Sequence, residues 1–517
     1  MGSCISRQLP EDQEERWRPR LLTKWKQRRA LKKAERHFRR ASPTFEETKE
    51  IDTLRATEYT PLKDHVYLDY AGAGLYGEKQ LRTHFDLLRS SIYSDSSSTS
   101  NAAAIKRIRE HVLSFFRASP DEYELIFTAN ASHALKLVGE SYPFTPQGEL
   151  LLLWDNHNSV QGLREFARGK GTPITHVPVM PPNLNIDEAF LKKSICTSSD
   201  SHRLFAYPAQ SNFSGVQHSL KWIEEAQAHG WDVVLDAASF VPANRLDLSQ
   251  WHPDFVPISF YKMFGYPSGI GCLIARKQTL AKLQRPWVSS GKFPTMTMNL
   301  LDSPDSSNGN ENRIAARKWH EVFEDGSVDF FGLPAVDIGL NHLSSIGMET
   351  ISSRVKLLAG WLIDRLLELR HSNGQRVVIV YGPQNTVNRG GTITLNFFDP
   401  TGRVIDERVV DKRALPINLS LRTGCFCNPG ASEAAFYLTE EALLNAFNQE
   451  AAAKKQEGNP KTFDEFLLDM GMKTGGGIRI SLGLMTNFAD CFRFLQFAHG
   501  FIDNIPTETD LKPRPHC

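Results

Sequence analysis

A lysine set among aromatic residues and followed closely by glycines is the first candidate for chemistry: Ile258-Ser259-Phe260-Tyr261-Lys262-Met263-Phe264-Gly265-Tyr266-Pro267. Beside Phe260, Tyr261 and Phe264 the Lys262 ammonium would be desolvated. Desolvation lowers a lysine pKa and makes the amine a nucleophile. Such an amine suits Schiff-base formation with a carbonyl, and pyridoxal phosphate is the commonest carbonyl cofactor held that way. Alone, the stretch reads more readily as a lysine whose stem passes its aromatic neighbours to reach water. The second candidate is Cys425-Phe426-Cys427. Its cysteines share one face if the chain is extended, and Asn428-Pro429-Gly430 is a turn that would present Cys427 at a loop tip. The pair could be a nucleophile, a redox couple, half of a metal clip or two buried small residues.

The elements around these residues follow a strand–turn–helix rhythm. Apolar runs at 66–70, 125–128, 150–154, 203–207, 233–235, 255–260 and 269–274 read as strands, with helical spacing over 105–116 and 133–139. Alternation with short turns implies a mostly parallel sheet covered on both faces, an α/β domain. Open α/β sheets bind ligands beyond their strand ends, so the residues there are candidates. Asp236 could hold a pyridinium N–H or cap the next turn, and His157 could stack on a planar ring or cap its loop. Ala131 and Ser132 could cradle a phosphate, or form an ordinary turn with Ser132 as N-cap. The small residues Ala71-Gly72-Ala73-Gly74 let the backbone approach something closely. Residues 302–312 read as a mobile surface loop. Helical periodicity over 335–369 then leads into strands at 376–381, 391–398, 415–421 and 478–482, with a charged helical insertion at 438–470. That is a smaller α+β domain.

Composition bounds the class. With 517 residues, 41% hydrophobic and 23% charged, the chain is globular. No apolar run approaches a membrane span, and seven scattered cysteines argue against a secreted disulfide framework. A cytoplasmic, reducing compartment is expected. Charge is segregated: residues 16–40 carry twelve Lys or Arg against Glu35, an excess of +11 that leaves −10 for the rest of a chain of net +1. Ahead of this basic, partly amphipathic stretch stands Met1-Gly2-Ser3-Cys4-Ile5-Ser6. The motif fits myristoylation of Gly2 and palmitoylation of Cys4, and acyl chains plus a polybasic patch anchor a protein to membranes. A solvated tail that matches by chance is the plain alternative. Glu11, Asp12, Glu14 and Glu15 disfavour a mitochondrial presequence. Nucleic-acid binding is not expected, because no base-stacking module accompanies the charge.

Six collinear stretches between residues 66 and 501 resemble class V aminotransferase-fold enzymes of the cysteine desulfurase type, most of all the N-terminal desulfurase domain of molybdenum cofactor sulfurases. They are Tyr67-Leu68-Asp69-Tyr70-Ala71-Gly72-Ala73, Asp155-Asn156-His157-Asn158-Ser159-Val160, the run 207–215, the lysine stretch, Phe323-Glu324-Asp325-Gly326 and the run 422–431. The resemblance implies a fold-type I pyridoxal-phosphate scaffold. Lys262 would carry the cofactor, Asp236 would pair with the pyridine nitrogen, His157 would stack on the ring and Asn212 would hydrogen-bond its hydroxyl. Ala131, Ser132 and Ser259 would bind the phosphate. Arg479 would take the substrate carboxylate, where the plain alternative is a surface ion pair. Cys427, ahead of Cys425, would attack the sulfur of cofactor-bound L-cysteine, leaving alanine and an enzyme persulfide for an unidentified acceptor.

The chain departs from the family at three places. Ser432 stands where a third cysteine is usual, and Ser289-Ser290-Gly291-Lys292 replaces a stretch that reaches the neighbouring subunit's phosphate. A C-terminal cofactor-binding domain is not expected here. The expected organisation is a disordered tail over 1–60, a large cofactor domain over 61–335, a small domain over 336–505 and a tail over 506–517, the protomer of a homodimer. Alternatives to the desulfurase are another class V enzyme such as a C–S lyase, or a membrane-tethered sulfur carrier with little turnover.

Overall fold

The computed structural model describes residues 24–92, 99–196, 201–287, 319–457, 467, 470, 472, 474–507 and 511. Seven strands form the central sheet: β1 (Tyr123–Thr128), β2 (Glu149–Leu153), β3 (Ile174–Val177), β4 (Arg203–Pro208), β5 (Asp232–Asp236), β6 (Phe255–Ser259) and β7 (Gly271–Arg276). Their spatial order is β1-β7-β6-β5-β4-β2-β3. Pairing is parallel from β6 through β5, β4 and β2 to β3, and antiparallel only where β7 meets β1 and β6. The interior strands β4, β5 and β6 are buried at every position, which is why they read as continuous apolar runs. The mostly parallel α/β sheet expected from sequence is present.

A second sheet of four strands, β8 (Val378–Tyr381), β9 (Thr392–Phe397), β10 (Arg422–Gly424) and β11 (Gly477–Ser481), has the order β8-β9-β11-β10 and is antiparallel throughout. Helices Leu333–Ile346 and Met348–Leu367 precede it. The strand expected over 415–421 is broken instead into a 3-10 turn (Leu415–Ile417) and the pair Leu419–Ser420, because Asn418 takes the left-handed conformation, φ 52°. Leu419–Ser420 runs parallel to Val66–Tyr67, and Asp69 bridges Ser481. The stretch assigned to the start of the large domain therefore lies against the small one.

The tail expected through residue 60 requires correction. Residues 24–58 form α1 (Lys24–Ala41), a 3-10 turn (Pro43–Thr48) and α2 (Lys49–Glu58). Phe38 and Phe45 are buried among Trp361 and Phe488. Arg55 reaches Asp490 at 2.6 Å, and the fully buried Arg354 donates to the carbonyl and hydroxyl oxygens of Thr48 and to Asp52. The high density of basic residues hid this, because only every third or fourth residue of α1 is apolar and faces inward. Glu324, quoted above in its motif, is a structural residue: it accepts from Arg109 and from the Phe127 N–H of β1. Among the described residues no helix is long and apolar enough to cross a membrane. Gly2, Cys4, the stretch 289–292 and the loop 302–312 lie outside the described residues.

Candidate active site

The strand ends converge on one cavity of about 170 Å³. Its walls include Ala131, Ser132, His157, Asn212, Asp236, Ser259 and Lys262, so seven positions singled out in the sequence meet there. A narrower space of about 30 Å³ also borders Lys262 and runs along Tyr70, Thr392 and Ser481 of the small-domain side.

Lys262 sits in the short helix Phe260–Phe264 directly after β6. Phe260 and Phe264 stack on each other in the core at 5.9 Å and anchor this turn, while Tyr261 lines the cavity. The small-residue run near Asp69 closes on the same turn. Gly74 N–H donates to the Tyr261 carbonyl at 3.0 Å, and a Cβ on Gly74 would stand 2.8 Å from the Lys262 carbonyl oxygen. Desolvation pushes the Lys262 pKa down, against the opposing pull of Asp236. No ion pair or hydrogen bond holds its amine among the described residues.

Asp236 ends β5 and is buried; its Oδ1 accepts from the Ala238 N–H at 3.0 Å. It caps its turn and lines the cavity at once. His157 also does both: Nδ1 accepts from the Ser159 N–H at 3.0 Å, which leaves Nε2 as the N–H of the neutral ring. Burial, then the Lys262 charge, lowers its pKa and keeps that ring neutral.

The floor of the cavity is the start of α3 (Ala131–Ser141), whose N-cap is Asn130. Ser132, read from sequence as a potential cap, instead lies inside the first turn with its hydroxyl 2.6 Å from that of Ser159. The Ala131 N–H donates to Ser259 Oγ at 2.9 Å. Two cavity hydroxyls and a helix N-terminus suit a phosphate.

The cysteine turn is not extended. Gly424, Phe426 and Cys427 have φ of 113°, 58° and 55°, so the same-face argument for Cys425 and Cys427 does not apply. Asn428-Pro429-Gly430 is the start of helix Pro429–Ala435, with Asn428 as N-cap and Pro429 at the first position. Asn428 is fully buried; its Nδ2 donates to the Asp155 carbonyl at 2.7 Å and to Asn212 Oδ1 at 2.8 Å. Asn212 Nδ2 in turn donates to the Phe426 carbonyl at 2.7 Å, and the Asn158 N–H holds the Cys427 carbonyl at 2.7 Å. Cys427 is exposed and Cys425 half-buried. Cys427 borders neither cavity, yet it lies within electrostatic range of Lys262, Arg422 and Arg479.

Arg479 is buried in β11, and burial lowers its pKa. It donates to Asp69 at 3.0 Å and to the Asn212 carbonyl at 3.2 Å, and lies 4.8 Å over the Phe426 ring, with Nε lacking a protein partner. Arg422 stands directly opposite it in the β10–β11 register and also binds Asp69, at 2.6 Å. In the sequence Asp69 and Arg422 stand in the matching stretches with no role of their own, and Asn428 only as part of a turn. Arg422 and Asp69 needed strand register to find, whereas Asn428 before a proline carried a readable capping signal. Among the described residues no group of three His, Cys, Asp or Glu stands ready for a metal.

Comparison with known proteins follows the same lines. The family described as aminotransferase class-V matches residues 66–434. A molybdenum cofactor sulfurase of Solanum lycopersicum is 34% identical over 504 residues, covering 90% of this chain and 59% of the relative. The Homo sapiens molybdenum cofactor sulfurase is 34% identical over 469 residues, covering 86% and 50%. The chain thus spans between half and three-fifths of the length of these relatives. Among solved structures, the apo cysteine desulfurase of Thermococcus onnurineus NA1 aligns with TM-score 0.66 at 19% identity, over 86% of this chain and 96% of that one. The Escherichia coli cysteine desulfurase CsdA aligns with TM-score 0.63 at 18% identity, over 87% and 97%. At such identities the likeness shows the fold, that of the fold-type I scaffold.

Proposed function

This chain belongs to the aminotransferase class-V family, and from that premise we propose that it is a pyridoxal-phosphate-dependent cysteine desulfurase, similar in activity to the desulfurase part of molybdenum cofactor sulfurases. The observation that carries the reading is the hydrogen bond from Asn212, a residue of the cavity wall, to the carbonyl just before Cys427. It ties a cofactor-sized cavity to a thiol on a separate loop.

The donor set fits the cofactor. An unpaired, desolvated amine suits the aldehyde, the Asp236 carboxylate suits a pyridinium N–H, and the start of α3 with Ser132 and Ser259 suits the phosphate. When bound, pyridoxal phosphate supplies an electron sink for bonds at the amino-acid α and β carbons. Lys262 would hold the cofactor, and its amine, once free of that bond, would accept the substrate α-proton. Neutral His157 would cover the cofactor ring without adding charge, and the Asp236 carboxylate would keep its ring nitrogen protonated. Arg479, with Arg422 beside it, receives the substrate carboxylate in a planar fork. The Cys427 thiolate forms the new S–S bond as the substrate C–S bond breaks. L-cysteine and the thiol become L-alanine and a Cys427 persulfide, with no external oxidant. A nucleophilic acceptor then takes the outer sulfur of the persulfide, breaking the S–S bond and returning the Cys427 thiolate.

Two further features belong to this proposal. The protein acts as a homodimer, tested by sedimentation, where a monomer at working concentration counts against it. Gly2 is myristoylated and Cys4 palmitoylated, so the protein sediments with membranes, and Gly2→Ala releases it; unchanged fractionation rejects the anchor.

The central test gives purified protein L-cysteine and scores alanine and thiol-labile persulfide together. Wild type yields both; Cys427→Ala keeps the cofactor absorbance and loses both, while Cys425→Ala retains them. Sulfide release that survives Cys427→Ala, with no protein persulfide, would identify a C–S lyase instead.

A further inference from the structure

The outward face of α1 carries a charge that the active site does not use. Its inner side is fixed: Phe38 stacks on Phe488 with ring centroids 4.9 Å apart, and Leu31 and Ala34 pack on the same core. Arg39, its half-buried base, is taken by Glu35 and Glu46, each at 2.8 Å. Glu35 is the helix's single acid, so its charge is already used. Facing solvent are Arg28, Lys32, Lys33, Arg36 and Arg40, with His37 beside them. At 3.6 residues per turn and 1.5 Å per residue, these five bases cover an arc of about 140° along about 18 Å of axis.

Like charges three and four residues apart repel, so this face gains by meeting a polyanion. The residues outside 16–40 carry a net −10, so the rest of the chain as a whole adds no attraction toward that polyanion. Two polyanions match by charge, nucleic acid and an anionic bilayer. Single-stranded nucleic acid is gripped by aromatic stacking as well as by charge, and no Phe, Tyr or Trp stands on the exposed face among residues 27–41. Long basic stems spread over a rigid convex helix suit a field of anionic headgroups. We propose that this face docks the folded protein onto an anionic membrane surface. The proposal extends the tethering described above but stands without acylation. Since α1 is joined to the small domain through Phe38, the folded body itself is the docking unit.

The test uses unacylated full-length protein, made in a host without myristoyltransferase, and co-sedimentation with vesicles of phosphatidylcholine alone or mixed with phosphatidylserine. Pelleting is expected only with phosphatidylserine, weakening as salt rises. Replacing Lys32, Lys33 and Arg36 by Gln should lower partitioning about a hundredfold, from about fivefold per base near an anionic surface. A Lys192→Gln, Lys193→Gln, Lys221→Gln control, altered on other exposed surfaces, should bind as wild type. Equal pelleting with neutral vesicles, an unaffected α1 variant, an equally weakened control, or tighter binding to polyuridylate at the same salt would each overturn the proposal. Should the α1 variant fail to fold, the lipid and salt dependence of the wild type decides.

Discussion

At the scale of single residues, the charge balance around Asp69 governs the site. Arg422 and Arg479 are cross-strand partners, and like charges directly opposite destabilise a sheet. Asp69 accepts from both and leaves one net positive charge for an incoming carboxylate. Its loss would strand the buried Arg479, and removing one partner of a buried pair is strongly unfavourable. Asp69→Asn is therefore expected to cost about 3 kcal/mol in urea unfolding; an unchanged midpoint would show that the arginines do not need it. His157 gives a pH signature. Its folded pKa lies below the ordinary 6.5 because burial and Lys262 disfavour the imidazolium. On acidification the unfolded chain binds the proton first, so this contribution is whole above pH 6.5 and falls away below it, down to the folded pKa. His157→Gln should flatten that part of the stability–pH curve, and a curve of unchanged slope between pH 6.5 and 5 would remove the assignment.

At the scale of elements, sequence and structure agree where burial is continuous and part where pairing decides. The strands ending at Leu153, Pro208, Asp236 and Ser259 were readable because buried parallel strands are apolar runs, the antiparallel strand ending at Thr128 was readable because it too is mostly buried, and cofactor candidates follow from strand ends alone. Strand β3 and the register that sets Arg422 against Arg479 were not readable, since register is a property of two strands and not of one. The cysteine turn was legible as a turn, but its two left-handed residues, Phe426 and Cys427, were not, because neither is glycine. Such a conformation persists only where neighbours hold it, and Asn428 is the holder. It caps Pro429–Ala435 and makes two further buried hydrogen bonds. Asn428→Ala should cost about 1–2 kcal/mol as a lost cap. Alanine release should fall well beyond that while cofactor absorbance persists, because the cofactor cavity does not include Asn428. A parallel loss of absorbance and turnover would mean that the loop merely supports the cavity.

At the scale of the whole molecule, the N-terminal helices close a circuit that the domain order conceals. The chain leaves α2, pairs Val66–Tyr67 with Leu419–Ser420, supplies Asp69 to the two arginines and only then enters the large sheet. The segment holding Tyr70, Ala71 and Gly74, which line the narrower space beside Lys262, thus follows closely on α2. Among the contacts that hold these helices are Phe38 and Phe45 in the aromatic core with Trp361 and Phe488, Arg55 on Asp490, and Arg354 on Thr48 and Asp52. The aromatic contact buries two large rings, Phe38 and Phe45, almost completely. Phe38→Ala should therefore lower stability by about 3–5 kcal/mol, as for other buried aromatic truncations. A disordered tail would predict no effect at all. Deleting residues 1–23 leaves every described contact of α1 in place and should keep the thermal midpoint, whereas deleting residues 1–48 removes Phe38, Phe45 and the Thr48 partner of Arg354 together. Calorimetry of the two truncations separates the cases: a large drop only in the second fits helices that brace the active site, and equal midpoints would return this segment to the status of an appendage.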